Sequence, residues 1–144
     1  MSVAAPVPVD EYLNTTYDPD VDFVDGVLVE RKMGVYLHSR VQSNIIFTLR
    51  SKYPRLEVLP EMRSKITSTR FRVSDVTVLY SPPETRFLDE PANIAIEILS
   101  EGDDMSRMVE KLDEYAAKGV PDIWVMDPRR RTLHVSWKSA SRIG

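Results

Sequence analysis

The stretch that most constrains this chain is Asn93-Ile94-Ala95-Ile96-Glu97-Ile98-Leu99-Ser100. Its alternation sends Ile94, Ile96 and Ile98 to one face of a strand and Ala95, Glu97 and Leu99 to the other. Both faces are apolar except at Glu97, so the expected setting is a central strand covered by helices on both sides. A carboxylate in that setting costs several kcal/mol in order of magnitude unless a cation, a metal or hydrogen bonds offset it. A structural ion pair is the plain reading and a metal site the sharper one.

A second strand carries the same anomaly. In Phe71–Tyr80 one face reads Val73/Asp75/Thr77/Leu79 and the other Ser74/Val76/Val78/Tyr80, which places Asp75 inside an apolar run. After the Glu97 strand, Glu101-Gly102-Asp103-Asp104 forms a turn with a capping acid. The spacing then predicts a helix over Asp104–Lys118 that buries Met105, Met108, Val109, Leu112 and Ala116 and ends at Gly119. Lys111 and Tyr115 fall on one flank of that apolar stripe, with Lys111 at its edge. A short apolar strand Ile123–Met126 follows, then an Asp127-Pro128 turn and a last strand Thr132–Trp137. Strand, helix and strand make a βαβ crossover with a parallel pair.

Upstream, Val21–Glu30 reads as a hairpin turning at Asp25-Gly26. His38–Tyr53 reads as a helix with Val41, Ile45, Ile46 and Leu49 inward, Arg40, Gln42, Ser43, Asn44, Arg50 and Lys52 outward, and His38 near its start. Leu56–Leu59 and Arg63–Ile66 read as strands, and Asp89 and Glu90 as exposed loop acids. The 144 residues suit one domain, here an irregular arm over residues 1–20 followed by a single domain over 21–144.

No stretch approaches the roughly 20 apolar residues of a membrane span, and Met1–Ala5 lacks the pattern of a secretory signal; a cytoplasmic setting is expected. The absence of cysteine excludes disulfides and zinc–thiolate sites. The net charge of −3 hides an asymmetry: Asp10–Glu30 has seven acidic residues and no basic one, whereas Arg31–Arg72 has ten basic and two acidic. Such a basic segment can steer a polyanion, or be a solvated surface.

Two acids on neighbouring buried strands, with a lysine reachable from the next helix, are the parts of a Mg²⁺-dependent phosphodiesterase. Hard oxygen ligands suit Mg²⁺ or Mn²⁺, and the metal activates water and stabilises charge on the phosphate. Asp75, Glu97 and the carbonyl of Ile98 are the candidate metal ligands, with Lys111 to orient or deprotonate water. Only His38 and His134 are present, too few for a histidine metal cluster, and no glycine-rich phosphate loop occurs.

Asp22–Leu28, His38, Arg72–Val78, Ile96–Ser100, Glu110–Tyr115 and Gly119–Pro128 resemble, in order and spacing, the Uma family of restriction endonucleases, within the PD-(D/E)xK nuclease superfamily. The resemblance spans roughly Val9–Val135. It implies an α/β (mixed α+β) restriction-endonuclease-like fold, a mixed central sheet flanked by helices, with an N-terminal hairpin. It also implies a metal-dependent endodeoxyribonuclease acting on DNA, commonly as a homodimer. By position Asp75 and Glu97 match the metal acids. Leu99 stands where the superfamily lysine is usual, and the resemblance suggests that Lys111 supplies the ammonium instead. Asp22 stands where the family usually has glutamate, and Asp22, His38 and Tyr115 are supporting candidates. Arg63, Lys65, Arg70 and Arg72 are candidates for phosphate contact. Relatives tend to continue beyond Trp137. The competing expectation is a catalytically inactive nuclease-fold protein that binds nucleic acid or a protein partner.

Overall fold

The computed structural model describes residues 5–135 and 137; the readings that touch Met1–Ala4, Ser136 and residues 138–144 lie outside these. A helical turn α1 (Val9–Leu13) leads to the hairpin β1 (Asp22–Val24) and β2 (Val27–Val29). Helix α2 (Tyr36–Lys52) follows, then β3 (Glu57–Pro60), β4 (Arg63–Thr67), β5 (Arg70–Val73), β6 (Val76–Leu79) and β7 (Ile94–Ile98). Helix α3 (Met105–Lys118), β8 (Asp122–Asp127) and β9 (Thr132–His134) complete the described chain. Two sheets result, ordered β2-β1-β5-β4 and β3-β6-β7-β8-β9. Among the described residues, no helix is long and apolar enough to cross a membrane.

The five-stranded sheet is sandwiched between helices, and strand alternation assigns its faces. Val76, Val78 and Ile96 are buried against Ile45, Ile46 and Leu49 of α2. Leu79, Ala95 and Ile123 are buried against Leu112, Tyr115 and Ala116 of α3. Glu97 shares parity with Ala95 and therefore faces α3. Strands β7 and β8 are parallel, with Glu97 opposite Val125 and Ile98 opposite Met126, as the crossover requires.

The expected single strand over Phe71–Tyr80 is instead two. β5 pairs with β1 and β4 in one sheet, and β6 pairs with β3 and β7 in the other. The two-residue joint Ser74-Asp75 carries the chain between them. Polar bonds hold the joint: Asp75 Oδ2 accepts from the distant Ile98 amide at 2.7 Å, and Ser74 Oγ meets Thr77 Oγ1 at 2.5 Å. Apolar periodicity runs straight through the joint and so gives no sign of it.

The stripe on α3 also differs. Met105 and Val109 are exposed, whereas Lys111 and Tyr115 are buried; the helix is turned so that its two polar site residues, not those apolar ones, face the sheet. Its ends are as read: Asp104 Oδ1 accepts from the amides of Ser106 and Arg107, and Gly119 closes it at φ 106°. On α2, Gln42 points inward, its Nε2 donating to the Asp75 carbonyl at 2.8 Å.

The described part of the N-terminal segment packs on the first sheet. Tyr12 is fully buried beside Phe23 and Phe71 and donates to the Val21 carbonyl at 2.7 Å. The hairpin turn has φ 49° at Asp25 and 87° at Gly26, the doubly positive pair that a tight two-residue turn demands. A Cβ on Gly26 would sit 2.7 Å from Pro6 Cβ. Gly26→Ala is therefore expected to lower stability by about 1–3 kcal/mol, read as a lower urea midpoint with an unchanged slope. An unchanged midpoint would mean that the Pro6 segment yields freely.

Candidate active site

Asp75 sits in the joint between the sheets with every side of its carboxylate addressed. Oδ2 takes the Ile98 amide, and Oδ1 accepts from Arg31 Nη2 at 2.7 Å. His38 Nε2 lies 3.3 Å from the same Oδ1. Neither nitrogen of that buried ring is aligned for a hydrogen bond with any described group. Burial alone would raise the Asp75 pKa, but the His38 ring and the charges of Arg31 and Lys111 outweigh it and hold the carboxyl below the usual range.

Glu97, only 2% exposed, behaves oppositely. Its Oε1 accepts from the Tyr115 hydroxyl at 2.8 Å and lies 3.3 Å from Lys111 Nζ. Burial pushes its pKa up to about 8, with Lys111 pulling it down and the Asp75 charge adding to the rise. The metal-free acid therefore holds its proton to higher pH than an ordinary glutamate.

Lys111 joins the two sheets. Its Nζ donates to the Val73 carbonyl at 2.8 Å and lies 3.1 Å from Asp22 Oδ2 as well as beside Glu97. Burial would lower its pKa, but Asp22 and Glu97 more than reverse this and raise it. The ammonium is thus fixed in its charged form. Asp22, at the start of β1, is anchored by the Val73 amide at 2.8 Å and by Arg72 Nη1 at 3.3 Å.

Asp22, Asp75, Glu97, Ile98, Arg31 and Lys111 line one cleft of about 300 Å³, together with residues 102–104 before α3 and residues 29–32 from the end of β2 onward. The structure thus gathers Asp75, Glu97, Lys111, Asp22, His38 and Tyr115 around one point. Among the described residues, no group of three or more histidine and acid side chains is arranged to hold a metal on its own. The donor set still fits Mg²⁺, which keeps several waters and takes one or two protein carboxylates. Asp75 and Glu97 line the cleft, and the buried His38 ring, with neither nitrogen aligned for a hydrogen bond, stands beside Asp75.

Arg63, Arg70 and Arg72 stand elsewhere. Arg63 is bound to both Asp20 oxygens and to the carbonyls of Tyr12 and Thr15, with its guanidinium 4.0 Å over the Tyr12 ring. Arg70 pairs with Asp25, Glu110 and Glu114. Arg72, buried, pairs with Glu114 at 2.5 Å and with Asp22. Lys65 is half-buried in β4. None of the four lines the cleft. Arg31 and Gln42, which do touch Asp75, had no distinguishing sequence signal. Arg31 is simply the first base after the acidic run, and Gln42 occupies a helical position that looks solvent-facing.

A mixed sheet between helices, with its acids and a lysine gathered beside the joint to a second sheet, defines a restriction-endonuclease-like fold. The chain belongs to the Uma2 family, described as "Putative restriction endonuclease", which matches residues 9–139. Among solved structures it is similar to a "putative nuclease belonging to DUF820" from Anabaena variabilis. That match has a TM-score of 0.79 at 21% identity, over 94% of this chain and 81% of that one, and shows the shared fold. No curated protein matches.

Proposed function

We propose that this chain is a Mg²⁺- or Mn²⁺-dependent DNA endonuclease that hydrolyses phosphodiester bonds. The observation that carries this reading is the convergence of Asp75, Glu97 and Lys111, from three separate elements, on one solvent-accessible cleft. Asp75 and Glu97 would hold the metal, with the Ile98 carbonyl as a further oxygen donor. The bound ion would supply an activated water and charge stabilisation at the phosphate.

The chain's own groups have distinct tasks. Lys111, held cationic by Asp22 and Glu97, orients water and offsets developing negative charge and does not act as the base. Tyr115, whose pKa burial drives well above the usual value, remains a donor and fixes the Glu97 carboxylate. Arg31 spans Asp75 and Glu61 at the cleft, where a phosphate can compete for its guanidinium. Two copies would let both strands be cut in one encounter, and a homodimer belongs to this proposal.

Incubation of supercoiled plasmid with the wild-type protein tests the reading. Nicking or linearisation is expected with Mg²⁺ or Mn²⁺ and none with EDTA. Linear product appearing directly would point to paired sites. The cations already seated on Asp75 and Glu97 favour the competing reading, a nuclease fold that binds without cutting. DNA binding without cleavage under either metal would establish that reading in place of ours.

A further inference from the structure

With Arg63 and Arg70 tied to carboxylates of this chain and Arg72 buried, the exposed cations near the cleft lie on other segments. Three arginines in succession, Arg129, Arg130 and Arg131, occupy the β8–β9 turn, and all three are exposed. The turn is a built one. Asp127 Oδ1 accepts from the amides of Arg129 and Arg130 at 3.1 and 3.3 Å. Arg131 holds φ at 53°, a left-handed conformation that favours glycine or asparagine and costs an arginine about 1–2 kcal/mol.

The turn lies at the end of the sheet where the acids converge. β8 is parallel to β7, and the Leu99 amide donates to the Met126 carbonyl at 2.8 Å, so the two strands end side by side. Ser100 Oγ donates to the Lys32 carbonyl at 2.8 Å, which brings the segment after β2 to the same end. One groove runs from buried His38, beside Asp75, past Lys32 and Ser100 to Pro128 and Arg129. A second groove, which shares Leu37 and Pro128 with the first, is lined by both Arg131 and Arg40 of α2. Arg40 and Lys32 are themselves exposed. The cations Arg129, Arg130, Arg131, Lys32 and Arg40 stand on these segments beside the acids Glu30, Glu101, Asp103, Asp104 and Asp127, and only Glu101 of those acids lines the groove. Asp127 spends one oxygen on the turn and meets Arg130 only at 3.9 Å.

We propose that the Arg129–Arg131 turn, with Lys32 and Arg40, is a phosphate-binding surface that seats the DNA backbone beside the Asp75–Glu97 cleft. The proposal rests on the nuclease-fold reading for the identity of the polyanion but not on cleavage. Arg129 is three residues past Met126, a span of at most ~10 Å, so this surface meets phosphates a few nucleotides from the one at the acids, at ~3.4 Å rise per nucleotide. The contacts are to backbone, which fixes register and carries no sequence preference.

The test is fluorescence anisotropy of a labelled random-sequence duplex, in EDTA so that nothing is cut, across a salt series. Arg129→Ala/Arg130→Ala is expected to reduce the steepness of log K against log salt by up to about two, at ~0.9 per lost phosphate contact. The matched loss of charge Arg50→Ala/Lys52→Ala, at the far end of α2, is expected to leave the steepness unchanged. Equal reductions in both variants would overturn the proposal, because net charge alone would then account for binding. So would an unchanged steepness in the turn variant, or a wild type that binds no duplex at low salt. Turn-dependent binding by a protein that never cleaves would uphold this surface while the endonuclease reading fell.

Discussion

Glu97→Gln is expected to lower metal-dependent cleavage by roughly a hundredfold or more, since even outer partners of metal ligands cost 10–100-fold. The same substitution is expected to stabilise the metal-free protein as pH rises. In wild type the folded pKa of about 8 lies above the ordinary glutamate value of about 4.3. Stability from the protonated acid is therefore full below the ordinary value and is lost as pH climbs through the folded one. The loss amounts to a few kcal/mol in order of magnitude. Glutamine keeps a carbonyl oxygen for Tyr115 and has nothing to ionise, so its advantage in Tm over wild type, measured in EDTA, should grow from pH 5 to pH 9. Mg²⁺ should raise the wild-type Tm, more so at higher pH where no proton has to be displaced, and leave the variant unmoved. Parallel pH profiles for the two proteins, or full cleavage by the variant, would remove Glu97 from the site.

Lys111→Met is expected to cost about 3–5 kcal/mol, roughly 10 °C or more in Tm, and to abolish cleavage. The ammonium serves three acceptors, the Val73 carbonyl, Asp22 and Glu97, so its loss takes a partner from all three, although Asp22 keeps the Val73 amide and Arg72. Glu97 can escape by protonation, so the penalty should be smaller at pH 6 than at pH 9. A purely structural pair would carry a similar penalty, so the loss of cleavage, not the loss of stability, separates the two readings. Pairing Lys111→Met with Glu97→Gln should restore part of the stability. Cleavage by the stabilised double variant would show that neither group takes part in the chemistry.

Glu97 was legible because one acid stood alone in a run of Ile, Ala and Leu, and Lys111 because helical spacing placed it beside that run's covering face. The same reasoning put Lys111 at an edge, whereas it is 6% exposed. Its partner Asp22 lies 89 positions away, and no periodic pattern encodes such a pair. The pairing of the basic segment was hidden for a related reason. Arg70 and Arg72 meet Glu114 over more than 40 positions, so their charge is neutralised by a helix that local reading treats as a separate element. The break at Ser74-Asp75 was invisible because hydrophobic alternation reports burial and not which sheet does the burying.

That break has a consequence for how the protein could be taken apart. Asp22 and the Val73 carbonyl belong to the first sheet, Glu97 and Lys111 to the second sheet and its helix, and Asp75 to the hinge peptide itself. A polypeptide severed between β5 and β6 would leave an incomplete set of acids on each fragment. Recovery of cleavage on mixing the halves would then report fragment docking directly, which makes the joint a natural place for a split, ligand-gated version of this domain.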